Sequence, residues 1–245
     1  MKSASLRALF GIILGSGACL CQANFGEGAP VSDAEILERY HVSMTRDGLA
    51  AALRQPNSGV RAQAALALAG KEEKGTAPAI LSALSAEAFP GARIALALSA
   101  GILGADDGVV ALRDMCGDPA WAPGLRMSAA NAMLYLRRDD CLGSVLDVLR
   151  LHEDDQAVVS ALCLLGRFQH VTADQAVQIR ELISASLKSE GVTVRFYASR
   201  AFPQFGDYAS LYALQGALAV EREDGVRKAI ADAIKLLAQR LTAKR

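Results

Sequence analysis

The side chains that most often carry out enzymatic chemistry are scarce in this chain. Its three histidines are His41, His152 and His170, and no two of them stand at the spacing of metal ligands. We interpret each as a surface histidine rather than as a ligand or a general base. The sequence also contains no glycine-rich phosphate loop and no Gly-x-Ser-x-Gly motif. It therefore predicts a protein that is not an enzyme and that holds neither a metal nor a cofactor.

Two further groups of residues could carry chemistry. The acidic run Glu153-Asp154-Asp155 is compatible with a cation site, but it is more simply a solvated turn that caps the following helix. Cys163 lies within an apolar helical segment and is expected to be a small buried core residue. Cys116 and Cys141 could form a disulfide, although the repeat pattern places them near opposite ends of one helix. Their pairing therefore stays open.

The N-terminus resembles a secretory signal. Lys2 and Arg7 precede an apolar stretch from Ala8 to Leu20, and Cys21-Gln22-Ala23 offers small residues at the positions that a signal peptidase requires. We expect cleavage after Ala23 and a periplasmic or secreted protein without a membrane span. A lipid anchor fits less well, because neither N-terminal cysteine has a Leu-like residue three places before it. Cleavage removes two basic residues and no acidic ones, which leaves a net charge of −2.

The composition restricts the possible classes of fold. Hydrophobic residues make up 52% of the 245 residues and aromatic residues only 5%, while 26 basic side chains balance 26 acidic ones. Apolar content supplied by Ala, Leu and Val is typical of closely packed helices. So large an apolar share with no net charge excludes disorder for most of the chain. The same balance disfavours a strongly basic nucleic-acid-binding protein.

A short pattern recurs about every 33 residues. It consists of a glycine, an aliphatic residue and an arginine, and a helix with small residues on one face follows it. The arginines of the five recognisable copies are Arg61, Arg93, Arg126, Arg195 and Arg227. A sixth, degenerate copy has Val159 in place of the arginine. Because one such helix cannot bury its own apolar face, the repeats must stack on one another.

A second helical segment precedes each copy of the pattern. These segments run over Asp47–Arg54, Pro78–Ala86, Gly108–Met115, Leu142–Leu151, Ala176–Lys188 and Tyr208–Val220. The turn between the two helices carries an acidic residue in five of the six repeats, namely Glu87, Asp118, Asp154, Glu190 and Asp224. The sequence thus predicts an all-α solenoid of about six helix-turn-helix repeats. An additional capping helix over 33–41 precedes them, and a last helix over 226–241 ends the array.

This pattern of turn acid, Val-Arg and a small residue three positions later resembles HEAT repeats, and most closely the short HEAT-like repeats first described in bilin lyases. The resemblance covers residues 45–241. It implies that the five repeat arginines are structural and contact the turn acid of the same or the adjacent repeat. It also implies that the contacts are interrupted at Val159. The domain organisation is then a signal over 1–23, an extension with the capping helix over 24–44, and the solenoid over 45–245.

The second helices of a solenoid usually line its concave side, where partners bind. Residues two, five and nine positions after each arginine share a helix face. In the middle and late repeats they include Ser128, Asn131, Tyr135, Phe168, Tyr197, Arg200 and Asp232; in the first two repeats they are Leu66, Ala95, Leu98 and Ile102. The partner-binding residues that we predict are Asn131, Tyr135, Tyr197 and Arg200, together with Trp121 in a turn between two prolines. Phe168 and the aliphatic residues more simply pack between repeats.

These observations favour a non-catalytic scaffold of the cell envelope that binds a protein partner, whose identity and oligomeric state the sequence leaves open. A bilin-lyase-like enzyme, or a chaperone of a chromophore protein, is the first alternative. The export signal and the lack of a Cys or His group for a chromophore argue against it. Binding of nucleic acid is the second alternative. It would require a continuous basic groove, whereas the predicted concave face carries both Arg200 and Asp232.

Overall fold

The computed structural model describes residues 33–243, and every regular element in this range is a helix. The 13 α-helices are α1 (Asp33–Arg39), α2 (Arg46–Ala52), α3 (Ser58–Gly70), α4 (Ala77–Ala86), α5 (Pro90–Ile102), α6 (Asp106–Gly117), α7 (Pro123–Tyr135), α8 (Leu142–Leu151), α9 (Asp155–Leu165), α10 (Ala173–Ser186), α11 (Val192–Phe205), α12 (Tyr208–Val220) and α13 (Asp224–Thr242). A single 3₁₀ turn, Lys74–Thr76, precedes α4. The predicted all-α class is confirmed. The predicted signal over 1–23 lies outside the described residues.

The helices form the six predicted hairpins after the capping helix α1. Within each hairpin the first helix packs against the second, as α2 does against α3 and α12 against α13. Both α8 and α12 have the predicted bounds, whereas α1 ends at Arg39, two residues earlier than predicted. The chain divides after Cys141 into two compact units. The first contains α1–α7 and three hairpins, and the second contains α8–α13 and the other three.

The core of the first unit is built from its second helices. Successive members pack on one another, α3 against α5 and α5 against α7. Alanines fill much of the contact, because small side chains let helix axes approach closely. Fully or almost fully buried examples are Ala62, Ala64, Ala65, Ala92, Ala95, Ala97, Ala129 and Ala130. In the second unit, α9 packs on α11 and α11 on α13, and Phe202 is fully buried.

The second helices of the first three repeats end in the same backbone motif. A left-handed residue follows each helix cap: Glu72 at φ 57°, Gly104 at φ 88° and Arg137 at φ 59°. The next backbone N–H donates back to a carbonyl five residues earlier, from Glu73 to Leu68 (3.1 Å), from Ala105 to Ala100 (2.9 Å) and from Arg138 to Met133 (2.9 Å). This is the Schellman arrangement, which satisfies carbonyls that a helix end leaves without donors.

Cys116 and Cys141 form a disulfide, with their Cα atoms 6.0 Å apart. The expectation that these cysteines lie near opposite ends of one helix was therefore wrong. The segment 136–141 returns along α6, where Arg113 and Asp140 form an ion pair at 2.8 Å. Six extended residues span about 20 Å, which is also the length of the thirteen-residue α7. The chain can thus travel back from the end of α7 to the last turn of α6.

The third cysteine differs from its prediction as well. Cys163 lies on α9 outside the disulfide and is half-buried, not fully buried in the core. Its neighbours Leu162 and Leu164 carry the burial at this point of the helix. Within residues 33–243, no helix is long and apolar enough to cross a membrane. The same residues contain no group of three metal-binding side chains.

Candidate functional site

The repeat arginines donate hydrogen bonds from the second helix of a repeat to the turn that precedes it. In four repeats the Nη1 atom donates to the carbonyl six residues earlier: Arg61 to Gln55 (2.7 Å), Arg93 to Glu87 (3.2 Å), Arg195 to Ser189 (2.9 Å) and Arg227 to Glu221 (2.8 Å). In the third repeat the turn is longer, and Arg126 donates from Nε to the Cys116 carbonyl at 3.0 Å. These contacts satisfy carbonyls at the end of the preceding helix. Val159 makes no such contact and is buried.

Two of these arginines also reach the next repeat through a buried glutamate. Arg61 holds Glu87 in a bidentate pair, with both N···O distances at 2.8 Å. Arg195 holds Glu221 in the same way, at 2.7 and 3.0 Å. The side chains of Glu87 and Glu221 are only 1% and 6% exposed. A buried carboxylate is tolerated when it is paired and fully hydrogen-bonded, so each pair fixes two consecutive repeats together.

The second pair shifts the protonation equilibria of its members. Hydrogen bonds from Arg195, opposed by burial and aided by the backbone N–H groups of Glu223 and Arg222, lower the pKa of Glu221 to about 2. The hydrogen bond with Glu221 raises the pKa of Arg195 in turn. The carboxylate is therefore ionised throughout the range in which proteins normally work.

The identity of one acid differs from the sequence-based expectation. The repeat pattern pointed to Asp224 in the last turn, but Glu221 is the residue that Arg195 contacts. Both glutamates stand 26 residues after their arginine, a spacing that would have identified them. Asp118, another of the expected acids, accepts from the Ala120 backbone N–H at 2.9 Å and thus closes its own turn.

One cluster in the second unit brings together residue types that occur in hydrolases. His152 Nε2 lies 3.2 Å from Asp155 Oδ1 and 3.3 Å from Ser189 Oγ. In a catalytic triad the serine and the carboxylate contact opposite nitrogens of the ring. Here both residues contact Nε2 of His152. When Nε2 carries the proton that it donates to Asp155, it has no lone pair with which to accept the proton of Ser189. Asp154 caps α9 by accepting from the Gln156 N–H (2.8 Å) and the Ala157 N–H (3.1 Å). The acidic run thus serves the helix start.

The predicted partner-binding residues of the first unit are partly enclosed. Asn131 lies within α7 and is 7% exposed. Tyr135, the last residue of α7, is half-buried, and burial raises its pKa. Trp121 is half-buried in the turn between α6 and α7, where its backbone N–H donates to the Asp118 carbonyl at 3.2 Å.

The predicted residues of the second unit lie on α11. Tyr197 is half-buried, and its ring meets Phe196 edge to face with centroids 5.3 Å apart. Arg200 is exposed, and its guanidinium carbon stands 5.6 Å from the centre of the Phe196 ring. Cation–π contact holds this guanidinium in place while its edge faces solvent. Phe196 was not among the predicted residues, although it follows Arg195 directly and links the two that were.

A groove lies between the second helices α11 and α13 of the second unit. It has a volume of about 620 Å³. Phe196, Arg200 and Pro203 form one wall, and Lys228, Asp232 and Leu236 lie on the other. Leu236 is 54% exposed. The groove therefore presents an aromatic ring, an aliphatic side chain and charges of both signs.

Exposure distinguishes the residues on the predicted binding face. In the first two repeats Leu66, Ala95 and Leu98 are buried, and in the fourth Phe168 is 5% exposed. Ser128, Tyr135 and Tyr197 are half-buried. Only Arg200 and Asp232 among those predicted positions are exposed, and both line the α11–α13 groove. Ile102, the remaining aliphatic residue of this face, is half-buried.

Comparison with known proteins identifies the repeats but gives little beyond them. Residues 46–134 match the family described as HEAT repeats. The resemblance to the bilin-lyase type is not part of this match. Among solved structures, human deoxyhypusine hydroxylase in complex with glycerol is similar over 97% of this chain and 88% of its own, with 16% identity and a TM-score of 0.41. No curated protein sequence matches the chain.

The solved structure requires one correction. The sequence-based expectation was that the chain is not an enzyme, partly because it consists of helical repeats. The similar structure is that of a hydroxylase, which contradicts this expectation. The prediction that the chain is not an enzyme was therefore wrong. Because the identity and the TM-score are low, no activity is transferred to this chain.

Proposed function

We propose that this chain, whose residues 46–134 match HEAT repeats, is a protein-binding repeat protein that holds a partner in the α11–α13 groove. The observation that carries the proposal is the exposure of Arg200 and Asp232 in one groove, while the other predicted binding positions are buried or half-buried. A guanidinium stacked on an aromatic ring loses little conformational freedom on binding. Arginine and aromatic side chains are also the commonest energetic centres of protein interfaces.

The groove favours a partner segment that offers both an apolar and a charged side chain. An apolar side chain can cover Leu236 and the Phe196 ring, which removes exposed apolar surface from water. A carboxylate of the partner can approach Arg200 or Lys228, while Asp232 accepts a donor. Charges of both signs within one groove fix the register of a partner more than they raise the affinity.

Affinity capture tests this proposal. Tagged protein with Arg200→Ala and Leu236→Ala should lose any partner that the unchanged protein retains from an extract of its source cells, because both walls of the groove are truncated. Arg138→Ala removes an exposed arginine in the first unit and is the matched control. Loss of the partner in the control, or its retention by the double variant, would show that the partner binds elsewhere.

We also propose that the protein works after export, in the periplasm or outside the cell. The signal-like N-terminus motivates this proposal, and the disulfide between Cys116 and Cys141 supports it, since such bonds persist in oxidising compartments. A role like that of the bilin lyases is a separate proposal. It predicts that the protein acquires the absorbance of a bound pigment when it is co-expressed with the enzymes of pigment synthesis.

A further inference from the structure

A second groove, distinct from the one above, lies on the face of the first unit formed by first helices. It separates α2 from α4 and has a volume of about 410 Å³. Arg61 lies at its base, Arg54 is exposed at its edge, and Ala79 and Ala83 line one wall. No acidic side chain lines this groove. It is therefore a basic groove with an apolar wall of small side chains.

The second unit contains a groove of the same construction between α10 and α12. Its volume is about 750 Å³. Arg195 lies at its base, Lys188 is exposed at its edge, and Ala213 and Ala217 line one wall. The side chain at the next position on this wall is absent, because Gly216 stands where the first groove has Ser82. This difference enlarges the second groove.

The two grooves correspond residue by residue. Nine of the ten residues that line the first have a counterpart 134 positions later that lines the second. Arg54 corresponds to Lys188, and Arg61 corresponds to Arg195. The basic character of the edge is thus kept even where the residue type changes. The second groove differs in that Tyr212 and Val220, both exposed, also line it.

The ion pairs around the grooves correspond at the same offset. Arg46 pairs with Glu73 at 3.8 Å, and Arg180 pairs with Asp207 at 3.1 Å. The Arg61–Glu87 and Arg195–Glu221 pairs match in the same way. Arg61 and Arg195 line the two grooves, so each groove contains one buried ion pair that joins consecutive repeats.

The N–H groups of Arg61 and Arg195 can be counted to find which of them are available to a ligand. A guanidinium carries five N–H groups. In Arg61 one from Nε and one from Nη2 go to Glu87, and two from Nη1 go to the Gln55 and Pro56 carbonyls. Arg195 uses four in the corresponding way. One N–H of Nη2 remains in each guanidinium, and both arginines line their grooves.

We propose that the two grooves are equivalent binding sites for acidic segments of a partner protein, with small side chains that lie against the alanine wall. Positive charges exceed negative ones in both grooves. In the first groove Arg61 is paired with Glu87, which leaves Arg54 uncompensated. In the second groove Arg195 is paired with Glu221, and only Glu223 opposes Lys188 and Arg222. A carboxylate of the partner binds to Arg54 in the first groove and to Lys188 in the second. The inference goes beyond the α11–α13 groove and does not depend on it.

The experiment uses a capped ten-residue peptide of alternating alanine and glutamate that carries a photo-cross-linking group, with the glutamine version as its control. Cross-links to the full chain, mapped by mass spectrometry, should appear at both grooves with the glutamate peptide. With the glutamine peptide they should fall at least about tenfold, because charge-assisted hydrogen bonds are lost. Cross-links at one groove alone, or equal labelling by both peptides, would overturn the proposal.

Charge reversal then separates the sites. Arg54→Glu should abolish labelling of the first groove and leave the second, and Lys188→Glu should do the opposite. Both residues are exposed, so neither change disturbs the core; matching circular dichroism spectra check this. Arg138→Glu and Lys228→Glu are the matched controls, and the latter also alters the α11–α13 groove. If Arg54→Glu and Lys188→Glu together left labelling intact, the cations would have no role and the proposal would fail.

Discussion

At the scale of single residues, the buried pair of Arg195 and Glu221 makes stability depend on pH. The pKa of Glu221 is about 2 in the folded protein, below the ordinary value of a glutamate. A carboxylate whose pKa falls on folding stabilises the folded state above its unfolded pKa. That contribution is lost as the pH falls from about 4.5 towards 2.

We predict that Glu221→Gln lowers the free energy of unfolding by about 3 kcal/mol at neutral pH, because it leaves the Arg195 guanidinium without its charged partner. Urea unfolding between pH 2 and 7 should show this difference constant above pH 5 and shrinking below pH 4. Glu223→Gln, at an exposed position beside it, is the control and should change little. A difference that persists unchanged at pH 2 would contradict the assignment.

The sequence predicted the arginines of this pair but not its acid. The regular recurrence of Val-Arg before an Ala-rich helix identifies Arg61 and Arg195, since helical periodicity is a local property of the chain. Glu221 belongs to the repeat that follows the one with Arg195, and nothing local distinguishes it from Glu223 or Asp224. Only the comparison with Arg61 and Glu87, 26 residues apart, would have done so.

At the scale of helices, most elements were predictable and their ends less so. The six hairpins follow from apolar spacing, and α8 and α12 begin and end as expected. The path after α7 was not predictable, because a six-residue connection can either stay at the helix end or return along α6. The disulfide and the Arg113–Asp140 pair hold the second path. The exposure of side chains on the second helices was not predictable either. Arg200 and Leu66 hold equivalent positions in their repeats, yet Arg200 is exposed and Leu66 is buried.

At the ends of three helices, substitutions at equivalent positions should change the free energy of unfolding in opposite directions. Glu72 and Arg137 adopt the left-handed conformation that Gly104 adopts at the same point of its repeat. A side chain in this conformation costs about 1 kcal/mol that glycine avoids. Glu72→Gly and Arg137→Gly should therefore raise the free energy of unfolding by about 1 kcal/mol each.

Gly104→Ala should lower the free energy of unfolding by a similar amount, although open space surrounds the added methyl group. Thermal and urea unfolding of the three variants provide the comparison. If Gly104→Ala instead raised the free energy of unfolding, residue 104 would not adopt the left-handed conformation.

The disulfide should stabilise the first unit through its effect on the unfolded chain. It closes a loop between residues 25 positions apart, which corresponds to about 3 kcal/mol of loop entropy. Cys116→Ser with Cys141→Ser should lower the free energy of unfolding by about this amount, and a reductant should then have no further effect. Cys163→Ser, which removes the cysteine that lies outside the disulfide, is the control.

At the scale of the whole molecule, mass spectrometry tests both the export of the protein and the state of its cysteines. The intact mass of protein recovered outside the cytoplasm should correspond to a chain that begins after Ala23. Alkylation of the native protein should modify one cysteine, Cys163, and alkylation after reduction should modify three. A mass that includes residues 1–23 or a lipid would contradict cleavage at this site.

The offset of 134 residues separates the hairpins that follow a shared pattern from those that depart from it. Two consecutive hairpins in each unit share their ion pairs and the surface between their first helices, over residues 46–101 and 180–235. The sequence between these segments carries the departures: the disulfide, the long turn with Trp121, and valine in place of arginine at 159. Each unit thus combines two hairpins that follow the shared pattern with one hairpin that does not.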